Sequence, residues 1–186
     1  GKCFKTIFID DLGRDLSVHL AIDHRPDFLH RTKSYCLLGP RYFLTSVKAL
    51  SPCVRRPWTV LAHAGGSGNF ANSSSFYNIL VLKCVYFSLS LTWLVPSESS
   101  YDWLSTNGLL LPHHHILRWV NDAVPPWGYY DFIAGPASTS VYETLLLGST
   151  PISFPISQTQ LTPRSAWLEL GHAFHITNQE KYDNDF

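Results

Sequence analysis

Between residues 58 and 156 the chain repeats one local pattern: a short apolar run of β-forming residues, a break of glycine, proline or serine, then a segment with helical spacing. WTVLAHA (58–64) leads through the turn GGSGN into an amphipathic segment over 72–84. LSLTWLV (89–95) leads into a polar helical segment around ESSYDWLST, and LLL (109–111) into HHHILRWVNDA, read as a loop that opens a helix. DFIAG (131–135) precedes SVYETLLL, and PISFPI (151–156) precedes SAWLEL, which Gly171 closes before the short strand AFHI and an acidic polar tail. Strands that alternate with helices pair in parallel, each helix crossing a face of the sheet between two strands. The expected fold class is therefore α/β: a doubly wound, Rossmann-like parallel sheet. Upstream, TIFI (6–9) and VHLAI (18–22) read as short strands around the turn DDLGRD. From Asp23 to Pro57 the breaks at Pro26, Gly39, Pro40, Pro52 and Pro57 read as an irregular N-terminal connector.

A chain of 186 residues suffices for one domain with a real core. Its 14 basic and 14 acidic residues cancel, which removes any electrostatic case for nucleic acid. Cys3, Cys36, Cys53 and Cys84 form no C-x-x-C pair, so neither a structural zinc site nor a redox dithiol is expected, and they read as reduced thiols of a cytoplasmic protein. The apolar stretch 79–95 is short for a bilayer span and is broken by Lys83, Ser88, Ser90 and Thr92, so it reads as a buried helix end followed by a buried strand. No membrane span, metal or cofactor is expected. The absence of methionine and the start at Gly1 are what a fragment or an incomplete record would show.

Ligands on doubly wound sheets bind beyond the carboxyl ends of the strands, which selects three loops: GGSGN, LPHHH and GPASTS. In the last, Ser138, Thr139 and Ser140 stand where a helix start presents unpaired N–H groups, and small side chains would let a phosphate reach them. The same residues admit an internal use, since Ser140 and Glu143 have the spacing of a capping box that would satisfy those donors itself. The glycine loop Gly65, Gly66, Ser67, Gly68 could approach a diphosphate closely. It is neither a Walker A loop nor a G-x-G-x-x-G fingerprint, and it misses the nucleophile-elbow pattern because Asn69 replaces the last glycine. His113, His114 and His115 have no nearby carboxylate or cysteine at ligand spacing and read as a polar loop rather than a metal site.

Taken together, IDDL (9–12), LLGPRY (37–42), AGGS (64–67) and DFIAGPASTSVYETLLLGSTPISFPISQTQ (131–160) resemble the C-terminal, nucleotide-binding domain of GT-B-type UDP-sugar enzymes. The resemblance is strongest to the UDP-sugar hydrolases of pseudaminic acid biosynthesis and the spore-coat polysaccharide proteins, and more distant to the peptidoglycan N-acetylglucosaminyltransferase. It implies a remnant of a preceding domain plus connector at 1–57, a nucleotide-sugar-binding Rossmann-like domain at 58–176, a single GT-B-type half, and a polar tail at 177–186. It also implies that UDP or a UDP-sugar is the partner. Ser138, Thr139, Ser140, Gly65, Gly66 and Ser67 would hold the diphosphate, and Glu143 the ribose. Pro112, His113, His114 and Ile116 would hold the uracil, and Gln158 or Gln160 would lie near the sugar. Ser157 departs from the family's usual pair beside Gln158, and no glycine-rich loop carrying the family's catalytic histidine is present, so no catalytic residue is assigned. A missing N-terminal domain or a partner subunit would supply the rest of the cleft.

The leading expectation is a UDP-sugar-binding domain of a GT-B-type hydrolase or glycosyltransferase in surface-polysaccharide or nonulosonate biosynthesis. Two alternatives remain: a degenerate, non-catalytic GT-B-like domain that acts through protein contacts, and a serine hydrolase built on Ser67.

Overall fold

The computed structural model describes residues 7–9, 18–23, 36–38, 43, 56–66, 68–119, 126–154 and 174–175. Three short strands, β1 (Ile7–Ile9), β2 (Leu20–Asp23) and β3 (Cys36–Leu38), pair in parallel in that order. The third lies inside the segment read as connector. It is formed by the apolar triplet Cys36-Leu37-Leu38, which precedes the breakers Gly39 and Pro40 in the sequence.

Six further strands form one parallel sheet: β4 (Arg56–His63), β5 (Ser90–Val95), β6 (His115–Arg118), β7 (Tyr130–Pro136), β8 (Thr150–Phe154) and β9 (Phe174–His175). Their spatial order is β6-β5-β4-β7-β8-β9. Ala62 is registered with Trp93 of β5 on one side and with Ala134 of β7 on the other. Among the described residues three helices belong to this unit: α1 (Ser74–Tyr86), α2 (Glu98–Thr106) and α3 (Thr139–Leu146). The doubly wound parallel sheet is thus present.

Alternation along the strands builds two cores. Val60, Ala62, Ala64, Leu91, Trp93 and Val95 meet Phe76, Tyr77 and Leu80 of α1 and Leu104 of α2 on one face. Leu61, Leu94 and Ile133 meet Trp127 and Tyr130 on the other, with Leu147 at the end of α3 packed against them. The first face is aromatic. Phe70 meets Tyr77 and Trp93 edge-on at 5.0 and 5.6 Å, and Phe76 lies 4.0 Å from Phe154. Pairs of this kind contribute about 0.5–1.5 kcal/mol each beyond their burial.

Three local expectations change. The strand expected at 109–111 is formed instead by His115–Arg118. Leu109 is buried beneath α2 and donates its N–H to Leu104 O at 3.0 Å, so the leucine run closes the helix end and the next four residues extend beside β5. No helix follows within 115–119; residues 120–125 lie outside the described residues. Finally, α1 is not amphipathic. It buries Phe76, Tyr77 and Leu80 while Leu82, Val85 and Tyr86 are exposed, and Phe87 just after it is exposed too. The expected helix around SAWLEL lies outside the described residues. No described helix is long and apolar enough to cross a membrane. Burial pushes the Cys84 thiol up to about 12, which leaves it protonated and inert.

At the start of β4 the register with β7 shifts between Arg56 and Val60. Trp58 takes φ +59° there and turns its ring to solvent. The hydroxyl of Thr59 ties the irregularity down, donating to Arg56 O at 2.6 Å and accepting from Asp131 N–H at 3.4 Å.

Two glycines with similar backbone angles separate conformation from packing. Gly68 (φ +63°) faces Pro96, and a Cβ there would stand 2.8 Å from Ser100 Oγ, whereas Gly108 (φ +69°) has open space. Both alanine substitutions place a side chain in the left-handed region, at roughly 1–2 kcal/mol. Gly68→Ala should cost a further 1–3 kcal/mol, roughly, from overpacking. Urea denaturation of the two variants measures the difference; equal losses would contradict the packing described.

Candidate functional site

The strand order makes β4 and β7 neighbours whose helices leave on opposite faces, α1 on the first and α3 on the second. Their carboxyl-end loops therefore diverge and open a crevice, the usual ligand position in sheets of this kind. On the β4 side, Gly65 (φ +71°) and Gly68 bracket a turn closed by Gly68 N–H donating to Gly65 O at 3.1 Å. Gly66 is exposed, with nothing within 4 Å of where a Cβ would stand. Asn69, which breaks the nucleophile-elbow pattern, caps the short 3-10 turn Phe70–Ser73 by accepting from Ala71 N–H.

On the β7 side the helix begins at Thr139, with Ser138 as an extended N-cap whose side chain makes no capping bond. The capping box between Ser140 and Glu143 does not form. Ser140 already lies inside the helix, its buried hydroxyl 3.1 Å from Ser138 Oγ and 3.5 Å from Pro136 O. Glu143 turns to the sheet, where its Oε2 accepts from Trp127 Nε1–H at 3.0 Å. The backbone donors divide accordingly. Ala137 N–H bonds Phe154 O, Ser138 N–H bonds Pro136 O and Val141 N–H bonds Ser138 O. The N–H groups of Thr139 and Ser140 have no acceptor among the described residues. Two orphan donors at the positive end of a helix attract an anion. The loops are adjacent: a Cβ on Gly65 would lie 3.6 Å from Pro136 Cγ.

Beneath the crevice lies His63, only 4% exposed at the end of β4. Its Nδ1 accepts the N–H of Gly65 at 3.1 Å, its carbonyl accepts Tyr77 Oη–H at 2.7 Å, and its ring lies 4.9 Å from that of Trp127. A Cβ on Gly135 would overlap the imidazole, so β7 carries glycine opposite it. Desolvation lowers the His63 pKa from its ordinary 6.5 to about 4, so the ring is neutral near pH 7.

The structure thus brings together Gly65, Gly66, Ser138, Thr139, Ser140 and, one turn deeper, Glu143. It does not bring Pro112, His113 and His114 to them. These residues precede β6, and because every pairing is parallel they stand at the amino edge of the sheet. There His114 Nδ1 accepts from Trp93 Nε1–H at 3.2 Å, while Ile116 lies within β6 itself. Ser67, Gln158 and Gln160 lie outside the described residues. No group of metal-ligating side chains occurs among the described residues. The residues missed from sequence are His63 and Trp127. The signal for His63 was present: a titratable residue between two alanines at the end of the apolar run Val60-Leu61-Ala62, just before a glycine pair.

No family model and no curated protein matches this sequence. Solved structures match its fold. A glycotransferase of kitacinnamycin superposes with a TM-score of 0.59 at 17% identity, over 86% of this chain and 42% of that one. MurG of Acinetobacter baumannii gives 0.57 at 14% identity, over 86% and 47%. The glycosyltransferase SnogD from Streptomyces nogalater gives 0.53 at 16%, over 84% and 44%. The chain therefore spans less than half the length of each. At these identities the likeness is one of fold: a Rossmann-like α/β unit matching half of a GT-B glycosyltransferase.

The buried imidazole links stability to pH. The unfolded chain takes up a proton near 6.5 and the folded one resists until about 4, so stability is complete above pH 6.5 and falls as pH drops through that window. The loss attributable to His63 should reach about 3 kcal/mol by pH 4. Desolvation also lowers the pKa of His114, so a smaller fall in the same direction persists without His63. Urea denaturation across this range should show a flatter profile for His63→Asn, and an unchanged slope would contradict the assignment.

Proposed function

We propose that this chain is the nucleotide-sugar-binding half of a GT-B-type enzyme, a hydrolase or glycosyltransferase of surface-polysaccharide or nonulosonate biosynthesis in the cytoplasm, and that it holds UDP or a UDP-sugar at the crevice between β4 and β7. The observation that carries this reading is that the N–H groups of Thr139 and Ser140, at a helix start adjacent to the glycine turn across the switch point, have no acceptor among the described residues. A diphosphate matches both: it supplies acceptors to the helix start and needs the close backbone approach that Gly66 permits. The likeness of fold to two glycosyltransferases and MurG, and the motif resemblance of residues 131–160, support the same reading.

Within it, Ser138, Thr139, Ser140, Gly65 and Gly66 take the diphosphate, with Ser67 on the same loop. Glu143 takes the ribose hydroxyls. A carboxylate has about four acceptor positions, of which the Trp127 indole takes one. The base belongs at the carboxyl edge, where β6 ends in Arg118 and Trp119, rather than at Pro112, His113, His114 and Ile116. Gln158 and Gln160 remain candidates for the sugar side. Attack at the anomeric carbon needs a positioned base and a closed cleft. A second domain or a partner subunit would supply them.

A second reading, a non-catalytic domain acting through protein contacts, is favoured by the exposed apolar end of α1 at Leu82, Val85, Tyr86 and Phe87. The serine-hydrolase alternative loses support, since His63, the described histidine beside the loop, commits its Nδ1 to Gly65.

Thr139→Pro tests the site with little side effect. Proline is well tolerated at the first helical position, and the extended Ser138 before it suits a pre-proline residue. The variant should keep its melting temperature and lose one donor to the ligand. A charge-assisted hydrogen bond is worth about 1.5–3 kcal/mol, so UDP affinity by calorimetry should fall about tenfold to a hundredfold. Unchanged affinity would move the diphosphate elsewhere. A wild-type chain that binds none of UDP, UMP, CMP and GDP would favour the protein-contact reading.

A further inference from the structure

We propose that His63 is the positioning residue of the glycine turn: a neutral imidazole, held as the Nε2–H tautomer, whose Nδ1 accepts the Gly65 N–H and so presets the backbone that offers Gly66 to a diphosphate. This inference rests on the reading above and adds to it a residue outside the ligand-binding set.

The turn joins glycines at 65, 66 and 68, the residue type with the most backbone freedom to lose. Besides the bond from Ser100 Oγ–H to Gly68 O at 2.9 Å, two hydrogen bonds of the described residues restrain it. One is internal, Gly68 N–H to Gly65 O at 3.1 Å. The other, Gly65 N–H to His63 Nδ1 at 3.1 Å, ties the turn to the sheet. That acceptor is itself immobile on three sides. Tyr77 of α1 donates to the His63 carbonyl at 2.7 Å, the Trp127 ring stands 4.9 Å from the imidazole at 49°, and Gly135 of β7 leaves only the width of a glycine beside it. An orienting contact of this kind raises affinity without touching ligand, because the turn's conformational freedom is lost on folding rather than on binding.

The proton inventory fixes the tautomer. A neutral imidazole has one donor and one acceptor nitrogen, so a ring that accepts at Nδ1 carries its hydrogen on Nε2. A proton on Nδ1 would set two donors against each other. Burial in an apolar surrounding keeps the ring neutral near pH 7, which keeps Nδ1 available.

The test uses the full 186-residue chain, labelled with nitrogen-15. Long-range nitrogen–proton spectra of the wild type should show His63 as the Nε2–H tautomer, with a slowly exchanging Gly65 amide. UDP and inorganic pyrophosphate are then titrated into the wild type, His63→Asn and His63→Leu, each checked for native near-ultraviolet circular dichroism. Asparagine can place its Oδ1 near the position of Nδ1, so it should bind both probes within about threefold of the wild type. Leucine fills similar space without an acceptor. It should bind both about tenfold more weakly, as the loss of one ordering hydrogen bond implies, and its Gly65 amide should exchange about tenfold faster. Wild-type affinity in His63→Leu, equal weakening in both variants, or an Nδ1–H tautomer would overturn the proposal. The tautomer and the Gly65 exchange rate are read on the wild type, so they decide the latch even if a variant does not fold. A wild type that binds neither probe yet shows both signatures would overturn the nucleotide reading and the ligand role of His63, leaving the latch as a structural device.

Discussion

The reversal of winding between β4 and β7 is the constraint on which the rest depends. Parallel strands must be joined by crossovers, and crossovers keep one hand. Once β5 lies on one side of β4 and β7 on the other, the helices that follow β4 and β7 are forced to opposite faces. No side chain is needed to open the crevice, because the backbone has already parted there. What side chains do is keep it open and small: Gly65, Gly66, Gly135 and Ala137 carry little or nothing into it, and Ser140 points its hydroxyl back towards Pro136.

The crevice is also electrically unusual. Among the described residues that frame it, none is a lysine or arginine, and the one histidine is neutral. Any attraction for an anion there would therefore come from oriented amides, which are short-ranged and directional, rather than from mobile charges. A site of this type selects for shape and for the position of oxygen atoms more than for total charge. Deeper in, the Trp127 indole N–H binds the half-buried Glu143 carboxylate.

Much of this was legible in residues 58–156 because the parallel fold imposes a repeating alternation that side-chain patterning must obey. WTVLAHA, LSLTWLV and DFIAG each carry a run apolar enough to be buried on both faces, Val60 to Ala64, Leu91 to Val95 and Ile133 to Gly135, while Trp58 at the start of the first is exposed. The leucine run at 109–111 misled for a physical reason: three apolar residues fit a helix end tucked under a sheet as well as they fit a strand, and only the tertiary position of Leu109 decides. That displacement carried Pro112, His113 and His114 from the carboxyl edge to the amino edge, since an offset of one element reverses the edge a loop occupies. The capping box between Ser140 and Glu143 was equally sound as a local pattern. It lost to an indole that arrives from Trp127, sixteen positions upstream of Glu143. His63 was visible as a chemical oddity, but its direction depended on Gly135, 72 positions further on in the sequence.

The fit between His63 and Gly135 bears on how this protein could have changed over time. The imidazole occupies the volume that any other residue at 135 would claim. A descendant that first replaced the glycine would meet an immediate clash, whereas one that first shrank the histidine would carry only a cavity. Routes away from the present pair therefore run in one order, through a loosened intermediate whose glycine turn has lost its anchor. Purifying selection on the turn would block that first step, and the glycine would then persist for as long as the histidine is kept.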